Sequence, residues 1–211
     1  MQRYLEPELM DDPAQALAFH KASRDYGIKG FIELYKKYVD IKDGKIVDLG
    51  CGTGAYLLAL ENHYPSLIIT GFDGSVPMIQ IAKNLIEYHS SSVRVRHCQF
   101  KDISTNADCV ISTNTLHHLH DPSVFWDCVK RVATRVFVMD LVRPPSIEVA
   151  KSIVDTLAPN DSDEFKKDYY NSLLAAFSVD ELKEQIKDTG LEIVIEGDTN
   201  FLQVAVIHGI L

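Results

Sequence analysis

The sequence predicts an α/β protein built on a doubly wound, mostly parallel sheet, with a helical cap ahead of it over residues 1–43. Two observations carry this. From Ile46 onward, short apolar runs alternate with longer amphipathic ones, the pattern of βαβ units with helices on both faces of a sheet. And the run Ile46-Val47-Asp48-Leu49 ends in Gly50-Cys51-Gly52-Thr53-Gly54, followed by the helix former Ala55-Tyr56-Leu57-Leu58-Ala59-Leu60. Strands buried on both faces read as apolar runs like this one. Glycine, having no Cβ, lets the chain turn tightly and approach a ligand. The helix that follows points free N–H groups and a partial positive charge at the loop.

In chain order, Asp11-Asp12-Pro13 is a helix start, with a capping carboxylate and proline in the first turn. Ala16, Leu17 and Phe19 then recur at helical spacing, and Phe31-Ile32-Glu33-Leu34-Tyr35 with Tyr38-Val39 forms a second apolar stripe. Leu67 to Phe72 reads as the second strand, and Pro77 to Glu87 as a helix with Met78, Ile81, Ala82, Leu85 and Ile86 on one face. Further strands are expected over 93–98, 108–112 and 135–140. Ser178-Val179-Asp180-Glu181 is a capping box opening a helix that ends near Gly190. Leu191 to Glu196 and Phe201 to Ile207 close the chain as a hairpin around Gly197-Asp198.

The 211 residues are most simply one domain, long enough to bury a full core. The formal charge is −9 and the pI about 5.3. Nucleic-acid binding draws much of its affinity from Lys and Arg on phosphates, so this balance disfavours DNA or RNA as a partner. Cys51, Cys98, Cys109 and Cys128 show no C-x-x-C spacing, and buried thiols in a reducing cytoplasmic setting are the expectation. The first residues lack the apolar core of a signal peptide, and no apolar run approaches the ~20 residues that span a bilayer, so no membrane insertion is expected.

The glycine loop admits two ligands. Gly50-x-Gly52-x-x-Ala55 satisfies a dinucleotide fingerprint, and Asp73 lies 21 residues after Gly52, where a ribose-binding acid is expected. On that pattern a nicotinamide oxidoreductase is an open reading. Asp48 speaks against it: a carboxylate two residues before the loop repels a pyrophosphate but suits a ligand that carries an ammonium group and no phosphate.

Val47-Asp48-Leu49-Gly50-Cys51-Gly52-Thr53-Gly54 resembles the first motif of class I S-adenosylmethionine (SAM)-dependent methyltransferases. Gly71-Phe72-Asp73-Gly74-Ser75-Val76-Pro77-Met78 resembles that family's G-x-D-x-S-x-x-M segment, and Asp108-Cys109-Val110-Ile111-Ser112 through Leu116-His117-His118 resembles its D-x-V-x-S-x-x-x-L-H-H motif. The last motif leans toward the small-molecule, ubiquinone/menaquinone-biosynthesis-like group. The resemblance implies a Rossmann-like sheet of seven strands with the last inserted antiparallel. It also implies SAM as cofactor, with S-adenosylhomocysteine as product, and methyl transfer to a small-molecule oxygen, nitrogen or carbon. Asp48, Gly50, Cys51, Gly52 and Gly54 would then form the cofactor loop. Asp73 and Gly74 would meet the ribose, and Met78, Asp102 and Ile103 the adenine. Thr113 and Asn114 would pass the methionine end.

His117 and His118 invite assignment as a general base, since imidazole titrates near neutrality. Adjacent residues on a helical turn point apart, so one of them at most is expected to face the site. His120 completes H-H-x-H, but three imidazoles spaced this tightly cannot surround one ion without strain, and no metal is expected. Arg143 is a candidate clamp for a substrate carboxylate or phosphate. The segment 144–177 is expected to roof the acceptor pocket, with Tyr26, Tyr170 and Asn171 as substrate candidates. Tyr4, His20 and Arg24 are weaker ones. A non-catalytic SAM-binding protein remains an alternative, and a homodimer is neither required nor excluded.

Overall fold

The computed structural model describes residues 1–23, 27–197 and 203–211. Its strands are β1 (Asp43–Leu49), β2 (Ser66–Asp73), β3 (Arg94–His97), β4 (Cys109–Thr113), β5 (Arg135–Leu141), β6 (Leu191–Gly197) and β7 (Gln203–Ile210). They form one sheet in the order β3-β2-β1-β4-β5-β7-β6. The pairs from β3 to β5 are parallel, and β7 enters antiparallel between β5 and β6. Strand order reverses between β1 and β4, so their carboxyl ends flank the crevice where such sheets bind ligands. The expected strands all form, with ends moved by a few residues. The turn expected around Gly197-Asp198, and Phe201 in the last strand, fall partly or wholly outside the described residues.

The helices are α1 (Pro13–Ser23), α2 (Ile28–Tyr38), α3 (Ala55–His63), α4 (Val76–Tyr88), α5 (Ser123–Val132), α6 (Ile147–Leu157), α7 (Asp163–Ala175) and α8 (Val179–Ile186). Their start signals are realised as hydrogen bonds. Asp12 Oδ1 accepts from Ala14 N at 2.8 Å, Ser75 Oγ from Met78 N at 3.3 Å, and Ser178 with Glu181 makes the full capping box. Two helices go beyond the sequence reading. α5 is rich in aromatic and β-branched residues that form helices weakly, yet it folds as one because Phe125, Trp126, Cys128, Val129 and Val132 make one buried stripe against the sheet. α6 is capped by Ser146 and pairs with α7 through a small apolar cluster of its own.

Two larger clusters cover the sheet. One lies under α5 and α8, the other under α2, α3 and α4. The cap differs from expectation over its first dozen residues, which are an extended strap rather than helix. Arg3 anchors it: Nε donates to the Ala175 carbonyl at 2.6 Å, Nη2 to the carbonyls of His117 and Leu119 at 2.9 Å each, and the guanidinium lies 3.8 Å from the centre of the Phe177 ring. Tyr4 N donates to Leu174 O, and Ser75 Oγ donates to Met10 O at 2.6 Å. The strap therefore runs across the mouth of the crevice.

Gly71 shows how tightly the loop side of the sheet is packed. A Cβ there would lie 2.6 Å from both Cys51 Cβ and Leu57 Cδ1, atoms of the glycine loop and of α3. Gly71→Ala is expected to destabilise the fold by about 1–3 kcal/mol, the cost of overpacking, measured as a lower denaturation midpoint in urea with an unchanged slope.

Candidate active site

The loop after β1 is shaped by its glycines. Gly50 and Gly54 have φ of 79° and 77°, and a Cβ on Gly50 would sit 2.3 Å from the Thr115 side chain. Thr115 Oγ1 donates to Gly50 O at 3.1 Å and Ser112 Oγ to Leu49 O at 2.7 Å, which ties the loop to the end of β4. The loop amides are largely consumed within the protein. Gly50 N and Cys51 N donate to Phe72 O, Gly54 N donates to Cys51 O, and Gly52 N donates to Asp73 Oδ2 at 2.8 Å. A pyrophosphate would need such amides free. Those that are engaged here cannot form the anion cradle of a dinucleotide site.

Two carboxylates give this end of the sheet its charge. Asp73 accepts from Gly52 N on one oxygen and from Ser75 N on the other, both at 2.8 Å. Burial raises its pKa, and those two backbone bonds oppose the rise. Each oxygen keeps a lone pair for a further donor. Asp48 is 1% exposed, and its Oδ1 has no hydrogen-bond partner. Burial, with Asp73 adding repulsion, holds its carboxyl well above the usual range. A cationic group brought beside these two acids would favour their ionised forms, and an anion would oppose them.

A cavity of about 470 Å³ opens over the loop. Gly50, Cys51, Gly52, Asp73, Gly74, Met78, Thr113 and Asn114 all line it. Asp48 stands behind the loop, and Gly54 supports it as the N-cap of α3. Asp102 is corrected. It ends a 3₁₀ turn, Phe100–Asp102, and is exposed outside the cavity, while Ile103 is buried in the core at 1% exposure. Gln99, Phe100 and Lys101, just ahead of it in the chain, line the cavity instead. Cys98 also lines it half-buried, while Cys51, Cys109 and Cys128 are buried free thiols. The strap contributes Glu8, Leu9 and Met10.

A smaller lobe of about 210 Å³ shares Met10, Phe19, Tyr56, Asn114 and His118 with the first. Met139, Leu141, Leu157, Phe165, Tyr169 and Val204 make it mostly apolar. From the segment 144–177, Leu157 lines this lobe together with Phe165, Asp168, Tyr169 and Ser172, one α7 face at i, i+3, i+4 and i+7. Tyr170 and Asn171 fall beside that face and line neither lobe. Spacing from Phe165 carried the signal that sequence reading missed. Arg143 is likewise no clamp on a ligand: Nη2 pairs with Glu181 Oε1 at 2.9 Å and Nη1 donates to Ala176 O at 3.3 Å, bracing the start of α8. His20 is buried with Nδ1 3.3 Å from Thr53 Oγ1, and Tyr4 is half-exposed on the strap. Tyr26 and Arg24 lie outside the described residues.

His117 and His118 both border the smaller lobe. His117 is buried, its Nδ1 is 2.5 Å from Asp140 Oδ1, and its N donates to Asp140 Oδ2 at 3.2 Å. Burial disfavours the imidazolium, but Asp140 and then Glu6 more than offset that and raise the His117 pKa. Asp140 is held low, because His117 and two backbone donors outweigh its burial. His118 is pushed down to about 3 by burial and by His117. The two rings sit 4.3 Å apart, and Glu6 of the strap reaches both. His120 turns away, its Nε2 2.7 Å from the carbonyl of Glu6.

The parallel sheet with one antiparallel insertion and a glycine loop after its first strand is the class I methyltransferase fold. Residues 46–136 match the family model of a methyltransferase domain. Among curated proteins, the chain is 32% identical over 80 residues to the carboxy-S-adenosyl-L-methionine synthase of Campylobacter hominis, covering 36% of this chain and 32% of that one. It is 28% identical over 95 residues to the tRNA U34 carboxymethyltransferase of Sulfurimonas denitrificans, covering 42% and 31%. The chain thus spans about a third of the length of these relatives. Its fold is similar to that of the plantazolicin methyltransferase BpumL, solved in complex with SAH, with a TM-score of 0.68, 14% identity, and coverage of 93% of this chain and 88% of that one. Among the described residues, no helix is long and apolar enough to cross a membrane.

Asp48 supplies a pH test. A carboxyl whose pKa is raised on folding takes stability away as pH climbs above its unfolded value of about 3.9. Asp48→Asn is therefore expected to stabilise the ligand-free protein by about 1 kcal/mol or more near pH 7.5, the scale of a relieved buried polar group. The gain should shrink toward zero as pH approaches about 4, in urea denaturation of the two proteins side by side.

Proposed function

We propose that the chain transfers a methyl group from S-adenosylmethionine to a small-molecule oxygen, nitrogen or carbon acceptor seated in the smaller lobe. The observation that carries the reading is the loop itself: its amides are engaged internally while Asp48 and Asp73 stand at its back and rim. That arrangement supports a phosphate-free adenosine bearing a cationic amino acid and argues against a nicotinamide dinucleotide. Asp73 would accept the two ribose hydroxyls, with Gly74 beside them. Met78, Phe100 and Gln99 would flank the adenine, and Thr113, Asn114 and the field of Asp48 the methionine end.

When bound, the cofactor supplies an activated methyl on a sulfonium. The chain's own part is to hold the acceptor in line, keep water out and accept a proton where the acceptor must lose one. Apolar walls of the smaller lobe serve the exclusion, and Asn114, Tyr56 and His118 stand where the lobes meet. At about 210 Å³ the lobe is below the usual range of ligand pockets, which favours a small acceptor. The net charge of −9 supports a small molecule over RNA.

Calorimetry with SAM, S-adenosylhomocysteine and NADH tests the donor. SAM and S-adenosylhomocysteine are expected to bind and NADH not to. Asp73→Ala is expected to weaken both by about a hundredfold or more, since two hydrogen bonds to a charged group are lost at about 1.5–3 kcal/mol each. Equal binding by the variant, or tight NADH binding, would overturn the assignment. Methyl transfer itself is read by supplying labelled SAM with pooled small metabolites. Tight SAM binding with no label transferred to any of them would favour a SAM-binding protein without turnover.

A further inference from the structure

We propose that Glu6, His117 and His118 form a binding site for a divalent transition metal of the zinc type at the edge of the smaller lobe, closed by the N-terminal strap. Their free donor atoms converge. Glu6 Oε1 lies 3.6 Å from His117 Nε2 and 3.3 Å from His118 Nδ1, and the three residues can offer ligand atoms all within 4.8 Å of one another. All three of these atoms are buried and lack a hydrogen-bond partner. Buried polar atoms are rarely left so, and three together call for a common partner.

Geometry separates an ion from a proton relay. At 3.6 Å, Glu6 is too far from His117 Nε2 for a hydrogen bond. Metal–ligand bonds of about 2.0–2.1 Å at tetrahedral angles place neighbouring ligand atoms about 3.3–3.4 Å apart; Glu6 Oε1 lies 3.3 Å from His118 Nδ1 and 3.6 Å from His117 Nε2, a few tenths of an ångström from that spacing at most. Two imidazoles and a carboxylate are a donor set that zinc takes, with a fourth position left for a ligand.

The surroundings orient each donor. Asp140 engages Nδ1 of His117, so Nε2 faces Glu6, the carboxylate–histidine arrangement that commonly backs metal-binding imidazoles. Ser172 Oγ stands 3.5 Å from the other oxygen of Glu6, and the Glu6 carbonyl meets the His120 ring, so the strap carries Oε1 to a set position. The ligands come from residues 6, 117 and 118, which is why the H-H-x-H run alone did not reveal them: the third donor is a carboxylate far away in sequence, and His120 is not part of the set. Because His117 and His118 line the smaller lobe, the open position faces it, where a lone pair of an acceptor would complete the shell.

The site does not rest on the methyl-donor reading, and zinc uptake is measured with no nucleoside present. Tag-free, chelator-treated full-length protein is titrated with zinc by calorimetry and with cobalt(II) by visible absorption. One equivalent is expected to bind, with the intense d–d bands of four-coordinate cobalt and a raised melting temperature in zinc. Glu6→Ala and His118→Ala should each weaken binding at least tenfold, and Asp140→Asn by about 10–100-fold with all three ligands still present. Glu6→Gln, which keeps the size of the strap residue, guards against a folding defect, and exposed His63→Ala should bind as the parent does. Absence of uptake, or uptake that survives both Glu6→Gln and His118→Ala, would overturn the site.

Discussion

The structure turns on the carboxylate of Asp73. One oxygen takes the amide of Gly52 and the other the amide of Ser75, so a single side chain ties the glycine loop after β1 to the turn after β2. Bonds to a charged acceptor are stronger than neutral ones, which suits a loop whose glycines would otherwise leave it free to move. The amides of Gly50, Cys51 and Gly54 are engaged with the protein too, and Thr115 fills the space that a side chain on Gly50 would need. The result is a rigid floor whose hydrogen bonds are already made. What this floor leaves open to a ligand is carboxylate oxygen rather than a ring of free amides.

That choice sets the electrostatics of the whole crevice. Asp48 is buried with an unpartnered oxygen behind the loop, a cost in the ligand-free fold that a cationic ligand would relieve. On the opposite wall, Asp140 and Glu6 bracket His117. The two ends of the cavity thus each hold buried acid, but in different company: one faces the larger lobe of about 470 Å³, the other a small apolar lobe with imidazoles at its edge.

The strap joins these parts. Arg3 donates to the carbonyls of His117, Leu119 and Ala175, so one side chain holds the N-terminal segment, the 3₁₀ turn at Leu116–His118 and the end of α7 together. Met10 and Leu9 then reach the larger cavity, and Glu6 the histidines. A segment with no helix or strand of its own is ordered by what it covers, and burial of its side chains offsets the entropy of fixing it.

The sequence alone determined the sheet, the loop and the place of Asp48 and Asp73 beside it, because each is a local pattern: apolar runs end at glycines, and Asp73 stands at a set distance from Gly52. Capping at Asp12 and Ser178 was legible for the same reason, a side chain bonding to backbone two or three residues on. What only the tertiary structure decided involves residues that meet across the chain. Glu6 reaches His117 and His118 from more than a hundred positions away, Arg143 finds Glu181 rather than a ligand, and the turn at Phe100–Asp102 aims Gln99 and Phe100 inward while Asp102 points out. In α7 the choice of Tyr169 over Tyr170 hung on helical phase against a neighbour the sequence does not name. Local hydrogen bonding and periodicity are written within a few residues; which faces meet is set by packing, and packing exists only once the chain has closed on itself.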